Sequence, residues 1–324
     1  MNDSFARVYS EISASVRSAR HVLIVTHAKP DGDAIGSMVS FALWLDDMGV
    51  PFTMFCADPA PPEFSYLALC EKIKSNLEEV ASVSYDLMVM LDVSEPDRAK
   101  AESLLKNNRG ETVPRVVIDH HVTCPSGSNV ALHDSGASST CEILHRFFSG
   151  IGYEYSPEIA TSLMTGIISD TEGFTNHATS ARTLESAREI MKRGANLSSI
   201  RVAVHHSRTF EHLKMMGDGL KNISYNKRFG AVVTMFFNKD KNFNDSLGRM
   251  SGFANLLKRV NGGKVVIVLE ERSDGTIKGS IRSLDSNTDS FRLARALGGG
   301  GHKMAAGFLL KGSLVLENNK WKIV

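Results

Sequence analysis

The sequence predicts a two-domain α/β protein, with an N-terminal doubly wound, mainly parallel sheet and a smaller C-terminal α/β domain. The first observation is length, because 324 residues exceed the size at which a single hydrophobic core usually stops growing. The second is the alternation of short apolar runs with helical segments in the first half. The third is a further set of strand patterns near the C-terminus. We therefore predict domains at 1–195 and 223–324, joined by a helical linker at 196–222.

The N-terminal elements follow from the placement of apolar and β-branched residues. Four short, almost wholly apolar runs predict buried strands, at 21–26, 50–55, 87–91 and 116–118. Helical patterns separate most of them, the first at about 34–48. Parallel strands bring their carboxyl ends to one crevice, so we expect the ligand site at that edge.

The second half begins with helical patterns and returns to strands. Residues 156–196 have helical periodicity, with one helix beginning at Ser180 and ending near Gly194. Residues 198–220 are predicted to be a helical connection. Strands are predicted at 230–237, 265–269 and 277–281, and a run of glycines at 298–301 precedes His302.

Composition and charge narrow the function classes. The chain has 37 basic and 36 acidic residues, and its formal net charge of +1 gives no overall field for binding long duplex nucleic acid. No apolar run approaches the roughly 20 residues that cross a bilayer, so no membrane role is expected. Residues 1–7 lack a signal-peptide pattern, and the four cysteines show no C-x-x-C spacing. These features favour a cytoplasmic protein.

Four acidic segments end apolar runs at what we predict to be one edge of the sheet. Between them they carry His27, Asp31, Asp33, Asp92, Asp119, His120, His121 and Asp170. A single aspartate at a strand end is most often a turn or helix-cap residue. Four convergent segments instead favour a metal cluster.

The donor types in these segments indicate which ions would bind. The candidate ligands are His27, Asp31, Asp33, Asp92, His120 and Asp170. Carboxylate oxygen and imidazole nitrogen without thiolate suit Mn²⁺, or alternatively Mg²⁺, Fe²⁺ or Co²⁺, better than structural zinc. Two such ions can activate a water and neutralise the charge of a phosphoryl group during hydrolysis. A calcium loop of the EF-hand type is disfavoured because the rest of its spacing is absent.

The glycine-rich tail is the candidate substrate-binding segment. Backbone amides at Gly300 and Gly301 can approach an anionic group closely, and His302 can add a hydrogen bond. Arg282, on a predicted strand, is a candidate partner for a terminal phosphate because a guanidinium group matches phosphate oxygens bidentately. Arg98, shortly after Asp92, is a weaker candidate of the same type.

These motifs, in this order, resemble the DHH phosphoesterase superfamily, and the tail resembles its DHHA1 subfamily. The resemblance covers nearly the whole chain. The segments that carry it are His27-Ala-Lys-Pro-Asp-Gly-Asp-Ala-Ile-Gly-Ser37, Leu91-Asp-Val-Ser94, Ile118-Asp-His-His121, Gly166-Ile-Ile-Ser-Asp-Thr171 and Gly299-Gly-Gly-His302. Each motif alone is weak to moderate, and together they are specific.

The resemblance implies two metal ions with a shared ligand. The first ion would be held by His27, Asp31 and Asp92. The second would be held by Asp33, Asp92, His120 and Asp170, which makes Asp92 the bridge. His121 would then be free to contact the scissile phosphate or to help protonate the leaving oxygen. Asp119 would orient a neighbouring imidazole.

The resemblance further implies a substrate class. The size and coupling of the two halves are most similar to bacterial oligoribonucleases that are also phosphatases of 3′-phosphoadenosine 5′-phosphate (pAp). We therefore expect hydrolysis of very short RNA, from dinucleotides to pentanucleotides, to mononucleotides. Short RNA or a small nucleotide would be the partner, and a homodimer is left open. One departure is Glu172-Gly173-Phe174, where many relatives have Gly followed by a basic residue, and it affects the expected substrate range.

Other functions stay open at this point. Hydrolysis of a cyclic or linear di-adenylate, c-di-AMP or pApA, is permitted by the same resemblance. An inorganic pyrophosphatase would share the catalytic motifs but lack the glycine-rich tail, and a processive RecJ-type exonuclease would need further binding modules. A non-catalytic nucleotide- or RNA-binding regulator is the alternative of another class. The complete ligand set argues against it.

Overall fold

The computed structural model describes residues 3–122, 127–206, 210–236, 251–257, 262–272, 274–317 and 320–324. Within these ranges the chain forms two compact units, residues 1–207 and 208–324. The predicted α/β class is confirmed, with a parallel sheet in the first unit and a mixed sheet in the second. The domain limits at 195 and 223 stay predictions. None of the described helices combines the length and apolar character that crossing a membrane requires.

The first unit is built on a five-stranded sheet in which every strand pair is parallel. Its strands are β1 (Val22–Val25), β2 (Phe52–Phe55), β3 (Leu87–Leu91), β4 (Arg115–Asp119) and β5 (Val130–His133). Its helices are α1 (Asp3–Ser18), α2 (Gly32–Asp47), α3 (Leu77–Ala81), α4 (Thr140–Gly150), α5 (Pro157–Asp170), α6 (Ala181–Lys192) and α7 (Leu197–His206). Short 3₁₀ turns lie at Pro62–Phe64, Cys70–Lys72 and Glu102–Leu105.

Both faces of this sheet are covered, which explains why the strands are apolar throughout. Ile24 and Val89 face one hydrophobic cluster, which includes residues of α1, α2, α4, α5 and α6. Leu23 and Met88 face the opposite cluster, to which α3 and the turn at Glu102–Leu105 contribute. Alternate residues of a strand point to opposite faces, so a strand buried on both sides reads as a continuous apolar run.

The strand order creates a crevice at one place. The order is β2-β1-β3-β4-β5, so the chain leaves β1 toward β2 on one side and continues to β3 on the other. In open α/β sheets, ligands bind outside the carboxyl ends of the strands where the order reverses in this way. The loops that follow β1 and β3 are therefore the expected walls of the site.

The second unit contains a six-stranded mixed sheet with the order β10-β11-β9-β8-β7-β6. Its strands are β6 (Ser224–Asn226), β7 (Ala231–Phe236), β8 (Val265–Glu271), β9 (Thr276–Ser283), β10 (Gly300–Gly301) and β11 (Ala305–Lys311), and a separate hairpin is formed by β12 (Leu314–Glu317) and β13 (Lys320–Ile323). Its helices are α8 (Phe210–Lys221), α9 (Ser251–Leu257) and α10 (Ser290–Ala296). Residues of α8 and α9 join one hydrophobic cluster of the sheet, and Ala294 of α10 joins the other.

The near-zero net charge of the chain conceals opposite charges on the two units. Residues 208–324 contain 20 Lys and Arg but 10 Asp and Glu, which gives this stretch a formal charge of +10. Residues 1–207 contain 17 Lys and Arg against 26 Asp and Glu, which gives −9. An anionic ligand is therefore favoured by the second unit, and cations are favoured by the first.

Candidate metal centre

The loop after β1 places one predicted ligand at a helix start and another in its first turn. Asp31 is the N-cap of α2, and its Oδ1 accepts hydrogen bonds from the amides of Asp33 (3.0 Å) and Ala34 (3.1 Å). Asp33 is fully buried in the first turn. Carboxylates are stabilised there because the unpaired amides of a helix N-terminus carry partial positive charge.

Asp92 lies at the centre of the candidate site. It directly follows β3, it is 3% exposed, and its backbone is left-handed with φ 59°. Its Oδ2 is 3.3 Å from Nε2 of His27, and its Oδ1 is 3.5 Å from Nε2 of His120. Asp92 therefore contacts one imidazole on each side, which is the arrangement expected for a shared ligand.

The remaining predicted ligands fall into two groups around Asp92. In each group the donor atoms lie within 4.8 Å of one another. The groups are His27, Asp31 and Asp92, and Asp33, His120 and Asp170. The first group has the same members as the first predicted set, and the second group has those of the second set except Asp92, whose Oδ1 is 3.5 Å from Nε2 of His120. A third such group joins Asp92 and His120 with His121, which was expected to be free of the ions. The binding of metal by these residues stays a prediction.

Asp170 corrects one part of the sequence interpretation. We counted it among the acidic segments at the edge of the sheet, and it is instead the last residue of helix α5, inside the stretch that was predicted to be helical. The apolar residues before it belong to a buried helix, whose periodicity over a few residues cannot be told from that of a strand. The side chain nevertheless reaches the site, with its Oδ2 3.2 Å from Nε2 of His120.

His121 and Asp119 form a pair beside the two groups. Asp119 is fully buried, and its Oδ1 lies 2.7 Å from Nδ1 of His121 and 3.1 Å from the His121 amide. The His121 side chain is 33% exposed and its Nδ1 is 3.6 Å from Asp92. The carboxylate thus contacts one ring nitrogen, and the ring is accessible from solvent.

The charges in the site oppose one another strongly. Burial raises the pKa of the Asp33 and Asp170 carboxyl groups, and repulsion from neighbouring aspartates adds to it. Burial also lowers the pKa of His27 and His120, but Asp92 outweighs burial and raises these values to about 9 and about 10. Burial raises the pKa of Asp92, and the two imidazoles outweigh it and lower the pKa.

The residues present fit a pair of divalent cations. Four carboxylates crowd the site, of which Asp33 and Asp92 are buried, Asp170 is partly exposed and Asp31 is exposed. Within the described residues, protonated imidazoles are the neutralising charge. His27 Nδ1 is 2.9 Å from the carbonyl of Ala28, so its Nε2 faces Asp92 and is suited to an ion. Oxygen and nitrogen donors in this number match the ions predicted from the sequence.

Strained backbone marks three loops of the site. Six non-glycine residues among those described have positive φ, and three of these are Lys29, Asp92 and Glu172, at 57°, 59° and 51°. Each lies in or directly after a segment that carries a predicted ligand. Left-handed backbone is unfavourable for residues with a Cβ, and such residues cluster at functional sites.

Sequence reasoning missed the contribution of helix α4. The amides of Thr140 and Cys141 donate to the two carboxylate oxygens of Asp33, at 2.6 and 2.9 Å, and the hydroxyl of Thr140 donates to Asp92 Oδ1 at 3.1 Å. The available signal was Ser139 with Glu142 three residues later, which is the capping-box spacing of a helix start. That spacing locates a helix, and it does not say which side chain the helix will meet.

The predicted substrate residues of the second unit share one region of its sheet. In the strand register Arg282 pairs with Ala305, Gly300 with Gly307 and Gly301 with Ala306. The exposed residue His302 follows, with its amide bonded to the Ala305 carbonyl.

Two of the tail glycines have a structural reason to lack a side chain. A Cβ at Gly299 would lie 2.1 Å from the carbonyl oxygen of Gly307, and one at Gly301 would lie 2.5 Å from Cα of Ala306. A Cβ at Gly300 would meet no atom within 4 Å, so its surroundings are open. Of the two glycines predicted to bind substrate, Gly300 is thus the one whose backbone has more room for a ligand.

Arg98 lies in the first unit, in the loop after β3. Its carbonyl accepts a hydrogen bond of 3.0 Å from the amide of Ala28, which ties the loop after β3 to the loop after β1. The residue itself is exposed. A role for its side chain in substrate binding stays a prediction.

Family models match both units. The DHH family, N-terminal domain, matches residues 21–167, which include all of the predicted ligands except Asp170. The DHHA1 domain matches residues 226–320, which include Arg282 and the glycine-rich tail. The two matches follow one another in the order expected from the sequence motifs.

Individual relatives match along nearly the full chain. The bifunctional oligoribonuclease and PAP phosphatase NrnA of Thermus thermophilus is 29% identical over 94% of this chain and 88% of its own length. The Bacillus subtilis protein of the same name is 24% identical, with 88% of each chain covered. The cyclic-di-AMP phosphodiesterase PdeA of Listeria monocytogenes is 26% identical over 97% of this chain, which spans 49% of that protein.

A solved structure supports the fold. The exopolyphosphatase-related protein of Bacteroides fragilis superposes with a TM-score of 0.85, covering 95% of this chain and 92% of that one. At 23% identity this likeness concerns the fold alone.

Proposed function

Since the chain belongs to the DHH family and carries a DHHA1 domain, we propose that it is a phosphodiesterase that hydrolyses very short RNA to mononucleotides and also removes phosphate from pAp. The observation that carries this proposal is the position of Asp92 between His27 and His120, at 3.3 and 3.5 Å. Similarity over 94% and 88% of this chain to two oligoribonucleases that are also PAP phosphatases supports the substrate class.

The proposed cofactor is a pair of divalent ions, with Mn²⁺ preferred and Mg²⁺, Fe²⁺ or Co²⁺ as alternatives. His27 and Asp31 would hold one ion, Asp33, His120 and Asp170 would hold the other, and Asp92 would contact both. Such ions neutralise phosphate charge and supply a nucleophilic water near neutral pH. The positive charge of the ions would offset the repulsion between the closely spaced carboxylates.

We propose that His121 donates a proton to the leaving oxygen and that Asp119 orients the His121 ring. Asp119 accepts the hydrogen on Nδ1 of His121, at 2.7 Å, and so favours the tautomer that leaves Nε2 for the substrate. The carboxylate also stabilises the ring when it is charged. A protonated Nε2 can then donate to the departing ribose oxygen.

The second unit is proposed to bind the substrate's phosphate end. Arg282 would contact a terminal phosphate, and His302 with the amides of Gly300 and Gly301 would contact the same nucleotide. The formal charge of +10 on residues 208–324 supports an anionic ligand here. Arg98, in the first unit, is a further candidate for a phosphate contact.

A turnover panel with Mn²⁺ tests this function. The substrates are a dinucleotide, a pentanucleotide RNA, a long single-stranded RNA, pAp, c-di-AMP and pyrophosphate. Asp92→Ala is the inactive variant, and Asp46→Asn, at an exposed position of α2, is the matched control. We expect turnover of the shortest RNAs and of pAp, lost in the first variant and kept in the second. Turnover of long RNA in preference to short would contradict the proposal.

One alternative has a specific observation in its favour. The similarity to a cyclic-di-AMP phosphodiesterase extends over 97% of this chain. Selective cleavage of c-di-AMP in the panel, without turnover of the short RNAs, would move the protein to messenger turnover. Binding of nucleotides without turnover of any substrate would favour a non-catalytic regulator.

A further inference from the structure

Glu142 is a buried carboxylate that lies outside the predicted ligand set. It is fully buried in the first turn of α4, and four donors surround it. Its Oε2 accepts from the amide of Ser138 (2.9 Å), the hydroxyl of Ser138 (2.7 Å) and the hydroxyl of Thr183 (2.9 Å). Its Oε1 accepts from Nε of Arg182 at 3.1 Å. A buried carboxylate with this many donors is held firmly, because losing any of them leaves a polar group unpaired.

The segment that Glu142 holds is the start of α4, which reaches the candidate metal centre. Ser138 precedes the N-cap Ser139, and Thr183 and Arg182 belong to α6, so Glu142 fastens the start of α4 to a second helix. The next residue pair along this start, Thr140 and Cys141, donates its amides to Asp33. The Thr140 hydroxyl bonds to Asp92.

Close packing on the other side leaves the helix start little room to shift. A Cβ at Gly166 of α5 would lie 2.3 Å from Sγ of Cys141, and a Cβ at Gly36 of α2 would lie 3.2 Å from the same atom. The Sγ atom thus fits against two helices where they lack side chains. Glu142 and this contact together fix the position of the first turn of α4 relative to α2, α5 and α6.

We propose that Glu142 is a positioning residue, which acts through Thr140 to set the geometry of Asp33 and Asp92. The inference rests on the proposed function only in that these two aspartates hold metal. Partners that orient ligands and contact no ion themselves affect metal affinity, because a ligand that is free to rotate binds less well.

Two pairs of variants test the proposal by Mn²⁺ binding in the absence of substrate. Glu142→Gln keeps the shape of the side chain but gives the pocket an amide that cannot accept from all of the donors. Glu185→Gln, on the exposed face of α6, is its matched control. Thr140→Val keeps the amide bond to Asp33 and removes only the hydroxyl bond to Asp92. Thr140→Ser restores that hydroxyl. Affinity is measured by calorimetry and by the electron paramagnetic resonance signal of free Mn²⁺.

We expect Glu142→Gln and Thr140→Val to weaken Mn²⁺ binding by about 10-fold or more, and the two other variants to stay within about 3-fold of the parent. A fall in the thermal stability of the metal-free variants with unchanged Mn²⁺ affinity would show a merely structural role and overturn the proposal. If Glu142→Gln does not fold, the Thr140 pair decides. Mn²⁺ binding without hydrolysis of any panel substrate would contradict the proposed function and leave this inference intact.

Discussion

Oδ2 of Asp92 and Nε2 of His27 lie 3.3 Å apart, although the two residues follow different strands of the sheet. They meet because β1 and β3 are adjacent parallel strands, so their carboxyl ends lie side by side. The strand order reverses at this point, which is where open α/β sheets bind ligands. The second oxygen of Asp92 is directed toward His120. One side chain thus links the loops that follow β1, β3 and β4.

The first prediction concerns this shared position. Asp92→Asn keeps the size of the side chain and removes its charge, so each of the two proposed ions would lose a charged ligand. We expect turnover of short RNA to fall by roughly 100-fold or more, since even the loss of a supporting partner costs 10–100-fold in affinity or activity. Substrate binding, measured by calorimetry, should be partly retained. Unchanged turnover would remove the shared-ligand model, and Asp46→Asn controls for the substitution itself.

The second prediction concerns pH in the metal-free protein. The pKa values of His27 and His120 are raised from 6.5 to about 9 and about 10, so the folded protein binds more protons than the unfolded chain above pH 6.5. Their contribution to the free energy of unfolding should therefore be fully present below pH 6.5 and be lost as the pH rises through 9 to 10. The raised pKa values of Asp33 and Asp170 act in the same direction.

Urea unfolding with a chelator, followed by the fluorescence of buried Trp44 in the first unit, measures this trend. Mn²⁺ should reverse it, because protons compete with metal for the two imidazoles and affinity for the ion rises with pH. His145 titrates in a separate window: burial lowers its pKa to about 4. A metal-free protein whose stability rises between pH 6.5 and pH 9 would contradict the electrostatic description of the site.

The third prediction concerns the substrate end. Arg282→Ala should raise KM for dinucleotides by about 10- to 100-fold, since a charge-assisted hydrogen bond contributes about 1.5–3 kcal/mol. Mn²⁺ affinity should not change, because the residue belongs to the other unit. Arg282→Lys keeps the charge but loses the bidentate geometry. We expect its KM for dinucleotides to lie between those of the parent protein and Arg282→Ala. Unchanged kinetics on dinucleotides would refute the phosphate role.

The fourth prediction concerns the packing behind the ligands. A Cβ at Gly166 would lie 2.3 Å from Sγ of Cys141 and 2.4 Å from Oδ1 of Asp33. Gly166→Ala should destabilise the protein by about 1–3 kcal/mol through overpacking and weaken Mn²⁺ binding by displacing Asp33. Gly217→Ala is the control: its Cβ would meet nothing within 4 Å in α8, and helical alanine is favoured by about 0.5–1 kcal/mol. Equal stability of the two variants, by thermal unfolding, would contradict the close contact.

Much of the fold is readable from the sequence where the signal is local. The strand predicted at 87–91 is β3 with the same bounds, and the run at 116–118 is the centre of β4 (Arg115–Asp119). Strand β5 (Val130–His133) was not predicted, because it has four residues and is mostly only half-buried, so it lacks a continuous apolar signal. A short strand of this kind forms because it pairs with an adjacent strand, and its own residues give little signal in the sequence.

The same distinction applies to the site. Residues directly after β1, β3 and β4 were predicted to converge because strand ends share one edge. The contact between Thr140 and Asp33 joins residues 107 positions apart and depends on how α4 packs against α2. The pattern around Thr140 indicates a helix start. Only the packing of that helix in the folded chain determines which side chains its first residues contact.

The positive φ angles of Lys29, Asp92 and Glu172 have a consequence for how the site would load. Each such residue disfavours the folded state by about 1–3 kcal/mol and persists only where the surrounding structure fixes it. The packing of the sheet and helices therefore offsets the conformational strain of three loops before any ion binds. A preorganised site of this kind requires little rearrangement on binding, so exchange of metal is expected to be limited by proton release and dehydration of the ion and not by loop folding.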